Sequence, residues 1–226
     1  MPIAYCLPII KASKDEVLRT IRQNVKDYRY FEVWLDYVDG ADGTFVKQLV
    51  ELLGDRLVIL FRRDKLESIR MPLEKRFDLL KRLDKTPALV DLDIAAQSAE
   101  LDYIREQNLT VKTIVSYHDY QQTPNSARLE EIVDTMEKYQ PGIYKLAAMC
   151  DGCEDALRLL ELLLVLKAKG RAAIVLGMGE AGVVTRVFGT LWGNEMAFAP
   201  LTLAEQSAAG QLTRQQLETI FKELRG

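Results

Sequence analysis

The sequence has little of what a secreted or metal-binding protein uses. It contains three cysteines and one histidine in 226 residues. An odd number of cysteines argues against a secreted disulfide framework. The first residues also lack the charged segment and the long apolar stretch of a signal peptide. A single histidine does not make a zinc site, and Cys150 and Cys153 form a C-x-x-C pair without a second ligand pair. We therefore predict a cytoplasmic protein that binds no metal.

The sequence also lacks an excess of either charge and any long hydrophobic run. Lysine and arginine number 30, aspartate and glutamate 33, and the formal net charge is −3. This balance provides no basic field for nucleic acid or for an anionic membrane. The most apolar run, residues 157–166, is too short to span a bilayer and predicts a buried helix. Neither nucleic acid nor membrane is an expected partner.

Short apolar runs alternate with helical patterns along the whole chain, which is typical of repeated βα units and a parallel sheet. Eight strands alternating with eight helices predict an α/β protein of the (β/α)₈ TIM-barrel class, a single catalytic domain over residues 1–226. The predicted strands are residues 3–9, 30–36, 57–61, 88–94, 111–117, 143–148, 172–176 and 195–199. The predicted helices are residues 14–26, 44–53, 73–82, 98–107, 126–139, 153–169, 182–188 and 214–224.

A doubly wound open sheet is the main alternative. Such a sheet binds dinucleotides through a G-x-G-x-x-G fingerprint that opens its first helix. Here Gly177, Gly179 and Gly182 have that spacing, but they follow the seventh predicted strand. They indicate either a close approach of the backbone or an ordinary tight turn, and Met178 between them is expected to line a pocket.

Lys145 interrupts the apolar run 143–149 on the sixth predicted strand. Active sites of barrels lie at the carboxyl ends of the strands, so this lysine is a candidate for chemistry. Burial disfavours the ammonium form and lowers the pKa of an amine, as a nucleophile requires. A buried lysine paired with a carboxylate for structural reasons explains the position equally well.

His118 ends the fifth predicted strand, and Asp91 and Asp93 lie on the fourth. A lone histidine is commonly structural or exposed, but this one is on the strand next to that of Lys145. Asp93 is placed to hold the imidazole tautomer through the second ring nitrogen. Adjacent strands thus provide an acid, a histidine and a lysine, a set that suits proton transfer around an imine.

Four segments resemble the type I 3-dehydroquinate dehydratases in the order in which that family has them. They are residues 114–120 (Ile-Val-Ser-Tyr-His-Asp-Tyr), 144–147 (Tyr-Lys-Leu-Ala), 178–186 (Met-Gly-Glu-Ala-Gly-Val-Val-Thr-Arg) and 207–211 (Ser-Ala-Ala-Gly-Gln). The resemblance covers nearly the whole chain, and the histidine and lysine segments together are specific.

This resemblance implies dehydration of 3-dehydroquinate to 3-dehydroshikimate in the shikimate pathway of aromatic amino acid biosynthesis. Lys145 would form an iminium with the ketone, so no cofactor is needed beyond this covalent imine. His118, partnered by Asp93, would remove the proton from the carbon next to the iminium. It would then protonate the departing hydroxyl, which gives a syn elimination. The implied substrate-binding residues are Glu32, Arg62, Arg186, Ser207 and Gln211, with Met178 and Phe198 as apolar walls.

The sequence departs from the family pattern on two strands. The second strand reads E-x-R-x-D in the family, whereas Trp34 stands between Glu32 and Asp36 here. The fourth reads D-x-E, whereas this chain has Asp93 at the position that partners the histidine. Loss of a guanidinium that recognises an anionic polyol costs about 1.5–3 kcal/mol unless it is replaced.

These departures leave two alternatives to the dehydratase hypothesis. One is a related Schiff-base lyase or aldolase that acts on another hydroxylated keto acid. The other is a non-catalytic barrel that retains the site residues as a binding module. A small-molecule substrate is the expected partner, and a homodimer through the apolar helix at residues 157–166 is compatible with the sequence, as is burial of that helix in the core.

Overall fold

The short apolar runs fold into parallel strands that are buried on both faces, because helices cover one face of the sheet and the strands enclose the other. The computed structural model describes residues 3–61 and 71–225. The strands are β1 (Tyr5–Ile9), β2 (Tyr30–Trp34), β3 (Leu57–Leu60), β4 (Leu89–Asp93), β5 (Lys112–Asp119), β6 (Ile143–Met149), β7 (Ala173–Met178) and β8 (Ala197–Phe198). The α-helices are α1 (Lys14–Asn24), α2 (Gly43–Leu53), α3 (Leu73–Leu83), α4 (Ser98–Glu106), α5 (Ser126–Glu137), α6 (Cys153–Ala168), α7 (Gly179–Trp192) and α8 (Arg214–Arg225).

The strands follow each other around the sheet in the order β7-β6-β5-β4-β3-β2-β1-β8. Every neighbouring pair is parallel, and β1 pairs with both β2 and β8. From β1 to β7, strands that are consecutive in the chain therefore lie side by side, and a helix lies between each strand and the next, α7 between β7 and β8 included. This is the (β/α)₈ barrel that the alternating pattern predicts, and the open doubly wound sheet is wrong.

The join between β7 and β8 depends on a side chain. The backbone N–H of Glu195 donates to the carbonyl of Ala173 at 2.9 Å. Next to it, the Asn194 amide accepts from the N–H of Val175 at 2.7 Å and donates to the same residue's carbonyl at 3.1 Å. This amide makes the two bonds to Val175 that a strand residue would make. Strand β8 has two residues and is shorter than the predicted strand 195–199.

Helix α7 begins three residues earlier than the glycine pattern predicts, directly after β7. A Cβ atom built on Gly182 would lie 2.4 Å from the carbonyl carbon of Gly177, and one built on Gly177 would lie 2.6 Å from the Cα of Gly182. Neither position has room for a side chain. The predicted close approach of the backbone is confirmed, and it seats the amino end of α7 on the end of β7.

Helix α6 contains the apolar run and is buried on only one of its sides. Leu159 and Leu163 are buried, whereas Leu157 is 63% exposed and Leu164 47% exposed. The prediction of a buried helix is therefore right for one face of α6 only. Among the described residues, no helix combines the length and the apolar composition that crossing a membrane requires.

Removal of the Asn194 amide tests the closure of the barrel. In Asn194→Ala the N–H and C=O groups of Val175 lose their partners, so we expect the free energy of unfolding to fall by about 2–4 kcal/mol. Urea denaturation measures this change. Asn24→Ala is the matched control, since among the described residues the Asn24 side chain makes a single hydrogen bond, to the Thr20 carbonyl one turn earlier in α1. Equal losses in the two variants would contradict a special role for Asn194.

Candidate active site

Charged side chains converge inside the barrel at the carboxyl ends of its strands. Residues two apart on a strand face the same side, so Glu32 and Trp34 share one face of β2 and Asp91 and Asp93 share one face of β4. In the ladder, Asp93 lies level with Ser116, which lies level with Lys145 on β6. The register therefore brings a lysine and several carboxylates to one level of the barrel.

Lys145 lies between two carboxylates in this interior. Its side chain is 6% exposed, and its Nζ atom is 2.5 Å from Asp91 Oδ2 and 3.4 Å from Glu32 Oε1. The same atom lies 4.6 Å from the centre of the Phe198 ring. The two negative charges favour the ammonium form and oppose the burial that disfavours it. Of the two sequence-based explanations, the carboxylate pairing is present, and it does not exclude a nucleophile.

Asp91 is a partner of Lys145 for which the sequence pattern indicates no specific role. Its carboxylate is buried, and its second oxygen, Oδ1, accepts a hydrogen bond from the Ser116 hydroxyl at 2.5 Å. The available signal was the spacing of Asp91 and Asp93, which directs both side chains to the same face of a buried strand. A charged pair at that spacing indicates partners inside the barrel.

His118 is held by Asp93, as the sequence predicts. The His118 Nδ1 atom lies 2.9 Å from Asp93 Oδ2. The other oxygen of Asp93 accepts the backbone N–H groups of Ala95 and Ala96, at 2.9 and 3.0 Å. Aspartate is one methylene shorter than glutamate, yet it reaches the imidazole at full hydrogen-bonding distance. The turn after β4 fixes the carboxylate, and the carboxylate fixes the ring.

Arg186 brings a second buried positive charge to the site from the second turn of α7. It is 5% exposed, and burial lowers the pKa of its guanidinium to about 10, so it is charged at neutral pH. One terminal nitrogen donates to the Ala209 carbonyl at 3.3 Å, and Nε has no hydrogen-bond partner among the described residues. A buried guanidinium with donors to spare suits an anionic ligand.

The segment before α8 covers the site from the side of β7. Ser207 and Gln211 bind each other: the Ser207 N–H donates to Gln211 Oε1 at 2.8 Å, and Gln211 Nε2 donates to the Ser207 hydroxyl at 2.9 Å. Between them, Gly210 has a φ of 80°, and a Cβ atom there would lie 2.6 Å from the Gly179 carbonyl. This segment therefore rests against the turn from β7 into α7.

The predicted site residues surround one cavity of about 40 Å³. Asp93 lies behind His118, and the predicted Arg62 lies outside the described residues. Trp34, Tyr120, Ala147, Leu176 and Ala208 also line the cavity and were not among the predicted residues. The predicted residues that line it are Glu32, His118, Lys145, Met178, Arg186, Phe198, Ser207 and Gln211.

None of the three cysteines lines the cavity. Burial raises the pKa of the Cys6 thiol, with the nearby Glu32 charge as the second cause, and burial also raises the pKa of Cys150. Both thiols are therefore protonated at neutral pH and are poor nucleophiles. Cys153 is exposed at the start of α6. Within residues 3–61 and 71–225, no three His, Cys, Asp or Glu side chains are grouped as metal ligands.

Fold and site together define a (β/α)₈ barrel with a buried lysine and a carboxylate-bound histidine in one cavity. A family model described as type I 3-dehydroquinase matches residues 5–226. The chain belongs to this family.

Similar proteins agree in both sequence and fold. The 3-dehydroquinate dehydratase of Methanococcus maripaludis is 29% identical over 223 residues, covering 96% of this chain and 98% of the relative. That of Desulfotalea psychrophila is 31% identical over 194 residues, 84% of each chain. The solved 3-dehydroquinate dehydratase of Geobacillus kaustophilus superposes with a TM-score of 0.83 at 23% identity, over 100% of this chain and 92% of the other. That of Enterococcus faecalis superposes with a TM-score of 0.76 at 25% identity, over 96% and 93%.

The bond between His118 and Asp93 is testable in solution because the chain has one histidine. In Asp93→Asn the imidazolium loses an adjacent negative charge, so we expect the midpoint of the His118 titration to fall by about one pH unit or more. The imidazole proton signals in NMR spectra report this midpoint directly. Asp119→Asn is the control, since the Oδ1 atom of Asp119 accepts backbone N–H groups of its own turn. Equal shifts in both variants would contradict the pairing.

Proposed function

We propose that this chain is a hydro-lyase that dehydrates 3-dehydroquinate to 3-dehydroshikimate through an imine on Lys145. One observation carries the proposal: Lys145 and His118, which is bound to Asp93, line the same small cavity of a barrel that belongs to the type I 3-dehydroquinase family. An amine and a proton-transfer residue in one enclosed site are what imine-based elimination requires.

The first step is attack of the neutral Lys145 amine on the ketone of the substrate. Asp91 is the acceptor of the ammonium proton in this proposal, because its Oδ2 atom is 2.5 Å from Nζ. Asp91 then returns this proton to the hydroxyl of the carbinolamine, and loss of that hydroxyl as water leaves an iminium. The iminium draws electrons from the neighbouring C–H bond, so it acts as the electron sink, and the residues named here perform the reaction without a cofactor.

His118 carries the proton in the second step. Its neutral imidazole removes the proton next to the iminium, giving an enamine, and the Asp93 carboxylate stabilises the imidazolium that forms. The imidazolium then protonates the departing hydroxyl as the enamine returns to an iminium, and water leaves. Removal and delivery by one residue on one side of the ring give a syn elimination. Hydrolysis of the iminium releases the product and restores Lys145.

Arg186 is the proposed partner of the substrate carboxylate, since it is buried, charged and not saturated with hydrogen bonds among the described residues. Glu32, Ser207 and Gln211 are the proposed partners of the substrate's hydroxyl groups. Met178 and Phe198 form the apolar walls that exclude water. Arg62, also proposed to bind substrate, belongs to the stretch that the structure does not describe. The small-molecule substrate is the one partner that this site requires, and we propose that the protein acts in the cytoplasm.

Trp34 supports a second candidate, a related Schiff-base lyase or aldolase for another hydroxylated keto acid. Its indole lines the cavity at the position where the family pattern has an arginine. This site therefore has one guanidinium fewer than the family pattern for the recognition of an anionic polyol. Turnover of a panel of keto acids and keto sugars separates this candidate from the first, which requires 3-dehydroquinate to be the best substrate of the panel.

Borohydride trapping tests the imine itself. Incubation with 3-dehydroquinate and borohydride should reduce the iminium and add a stable mass to the peptide that contains Lys145, as measured by mass spectrometry. Lys145→Ala should remain unmodified at this peptide, whereas Lys167→Ala, which alters a lysine paired with Glu195 outside the cavity, should be trapped like the unaltered protein. A folded protein that gives no adduct would overturn the proposal.

Substitution of Arg186 tests the binding of the carboxylate. We expect Arg186→Gln to raise KM about tenfold or more with a smaller change in kcat, because a charge-assisted bond made in both ground and transition states is lost. Arg186→Lys keeps the positive charge but loses the planar guanidinium, so its KM should lie between that of the unaltered protein and that of Arg186→Gln. Steady-state kinetics with 3-dehydroquinate measures both constants. An unchanged KM in Arg186→Gln would exclude this role.

A further inference from the structure

We propose that Trp34 is a positioning residue that holds the Glu32 carboxylate against Lys145 through its indole N–H. The proposal rests on the proposed function of Lys145 as the nucleophile. Trp34 Nε1 donates to Glu32 Oε2 at 2.9 Å, and Glu32 Oε1 lies 3.4 Å from Lys145 Nζ. One oxygen of Glu32 therefore faces the indole and the other faces the amine, and all three side chains are buried.

The indole is itself fixed in place. It packs edge-on against Tyr37 with ring centres 5.7 Å apart and an angle of 70° between the rings. Tyr37 belongs to the 3₁₀ turn Leu35–Tyr37 that directly follows β2. Trp34 has two side-chain torsions and Glu32 has three, so the better-anchored indole sets the direction of the carboxylate. If Glu32 rotated, the buried indole N–H of Trp34 would lose this hydrogen-bond acceptor.

The two carboxylates beside Lys145 are held in the same manner. Asp91 directs one oxygen to the amine and accepts the Ser116 hydroxyl on the other. Glu32 directs one oxygen to the amine and accepts the Trp34 indole on the other. Both outer donors are neutral. A neutral donor orients a carboxylate without competing with Lys145 for its negative charge, which a cationic side chain in the place of Trp34 would do.

Glu32 depends on its outer donor more than Asp91 does. Its contact with Lys145 is 3.4 Å long, against 2.5 Å for Asp91, so the amine alone restrains it less. Its side chain also has one more torsion. We infer that loss of the indole N–H lets Glu32 turn away from Lys145, which changes both the direction and the ionisation of the amine that attacks the ketone.

Two substitutions separate the hydrogen bond from the bulk of the ring. Trp34→Phe keeps an aromatic ring and loses the donor, whereas Trp34→Gln places an amide N–H at a similar reach from Cβ. We expect Trp34→Phe to lower kcat about tenfold or more with a smaller change in KM, and Trp34→Gln to recover most of that loss. Trp192→Phe is the matched control, since Trp192 lies 44% exposed on α7. Thermal melting checks that each variant is folded.

A double-mutant cycle tests whether Trp34 acts through Glu32. If it does, adding Trp34→Phe to Glu32→Gln should lower kcat no further than Glu32→Gln alone does. A role in packing alone would give the same loss in both backgrounds, which would overturn the proposal, as would an unchanged kcat in the single variant.

A second readout does not require the substrate, so failure of the proposed function and failure of this inference are distinguishable. Reductive methylation by formaldehyde and borohydride reports the neutral fraction of Lys145, measured on its peptide by mass spectrometry. Without a fixed Glu32 beside it, Lys145 should be methylated about threefold faster or more at neutral pH. Equal rates in Trp34→Phe and the unaltered protein would overturn the proposal even where dehydroquinate leaves no adduct.

Discussion

The placement of the Lys145 amine between two carboxylates is the constraint on which the rest of the site depends. A positive charge in the interior of a barrel is costly unless opposite charges and hydrogen bonds replace the water it loses. Glu32 and Asp91 supply those charges, and each then needs its own donor, because a buried carboxylate with a vacant oxygen carries the same penalty. Trp34 and Ser116 meet that need. The polar network therefore runs outward from Lys145 through the two carboxylates and ends at two neutral donors, the Trp34 indole and the Ser116 hydroxyl.

The backbone serves this network by bringing different strands to one level. Lys145 pairs in register with Ser116, and Ser116 with Asp93, so the lysine, histidine and carboxylate strands present their side chains at neighbouring depths. Closure on the other side is less regular, since β8 has two residues and the Asn194 amide substitutes for part of a strand. The register thus fixes the levels of the side chains around Lys145, whereas the join between β7 and β8 is completed by the Asn194 amide.

The sequence predicts the order and kind of these elements because alternation of apolar runs with amphipathic helices is a local signal. The same is true of Lys145, His118 and Asp93, whose positions at strand ends follow from the pattern of a parallel sheet. The contact between Lys145 and Asp91 was not predictable, since it crosses 54 residues of chain and depends on register around a closed barrel. The Trp34–Glu32 bond was missed for a different reason. Both residues were noted, but Trp34 was interpreted as the loss of a guanidinium, and its indole N–H was not considered as a donor to Glu32 on the same strand.

The start of α7 and the exposed side of α6 show where local patterns fail. The glycine pattern is compatible with a close approach of the backbone and with a tight turn, and the predicted helix begins at residue 182, yet α7 begins at Gly179, directly against β7. The apolar residues of α6 predict burial by their number, yet Leu157 and Leu164 lie on the side away from the sheet. In both cases the structure is decided by what packs against the segment, and this information lies elsewhere in the chain.

The distribution of carboxylates also explains how the site can stabilise a positive charge first at Lys145 and then at His118. In the proposed reaction the positive charge begins on the iminium at Lys145, beside Glu32 and Asp91. Proton removal makes the nitrogen a neutral enamine and moves the charge to His118, beside Asp93. Because fixed negative charge is present at both ends of this transfer, neither end has to reorganise as the charge arrives, which is the condition for electrostatic stabilisation in a dry site. Asp93 must stay fixed for this to hold, and the two backbone N–H groups on its other oxygen ensure that it does.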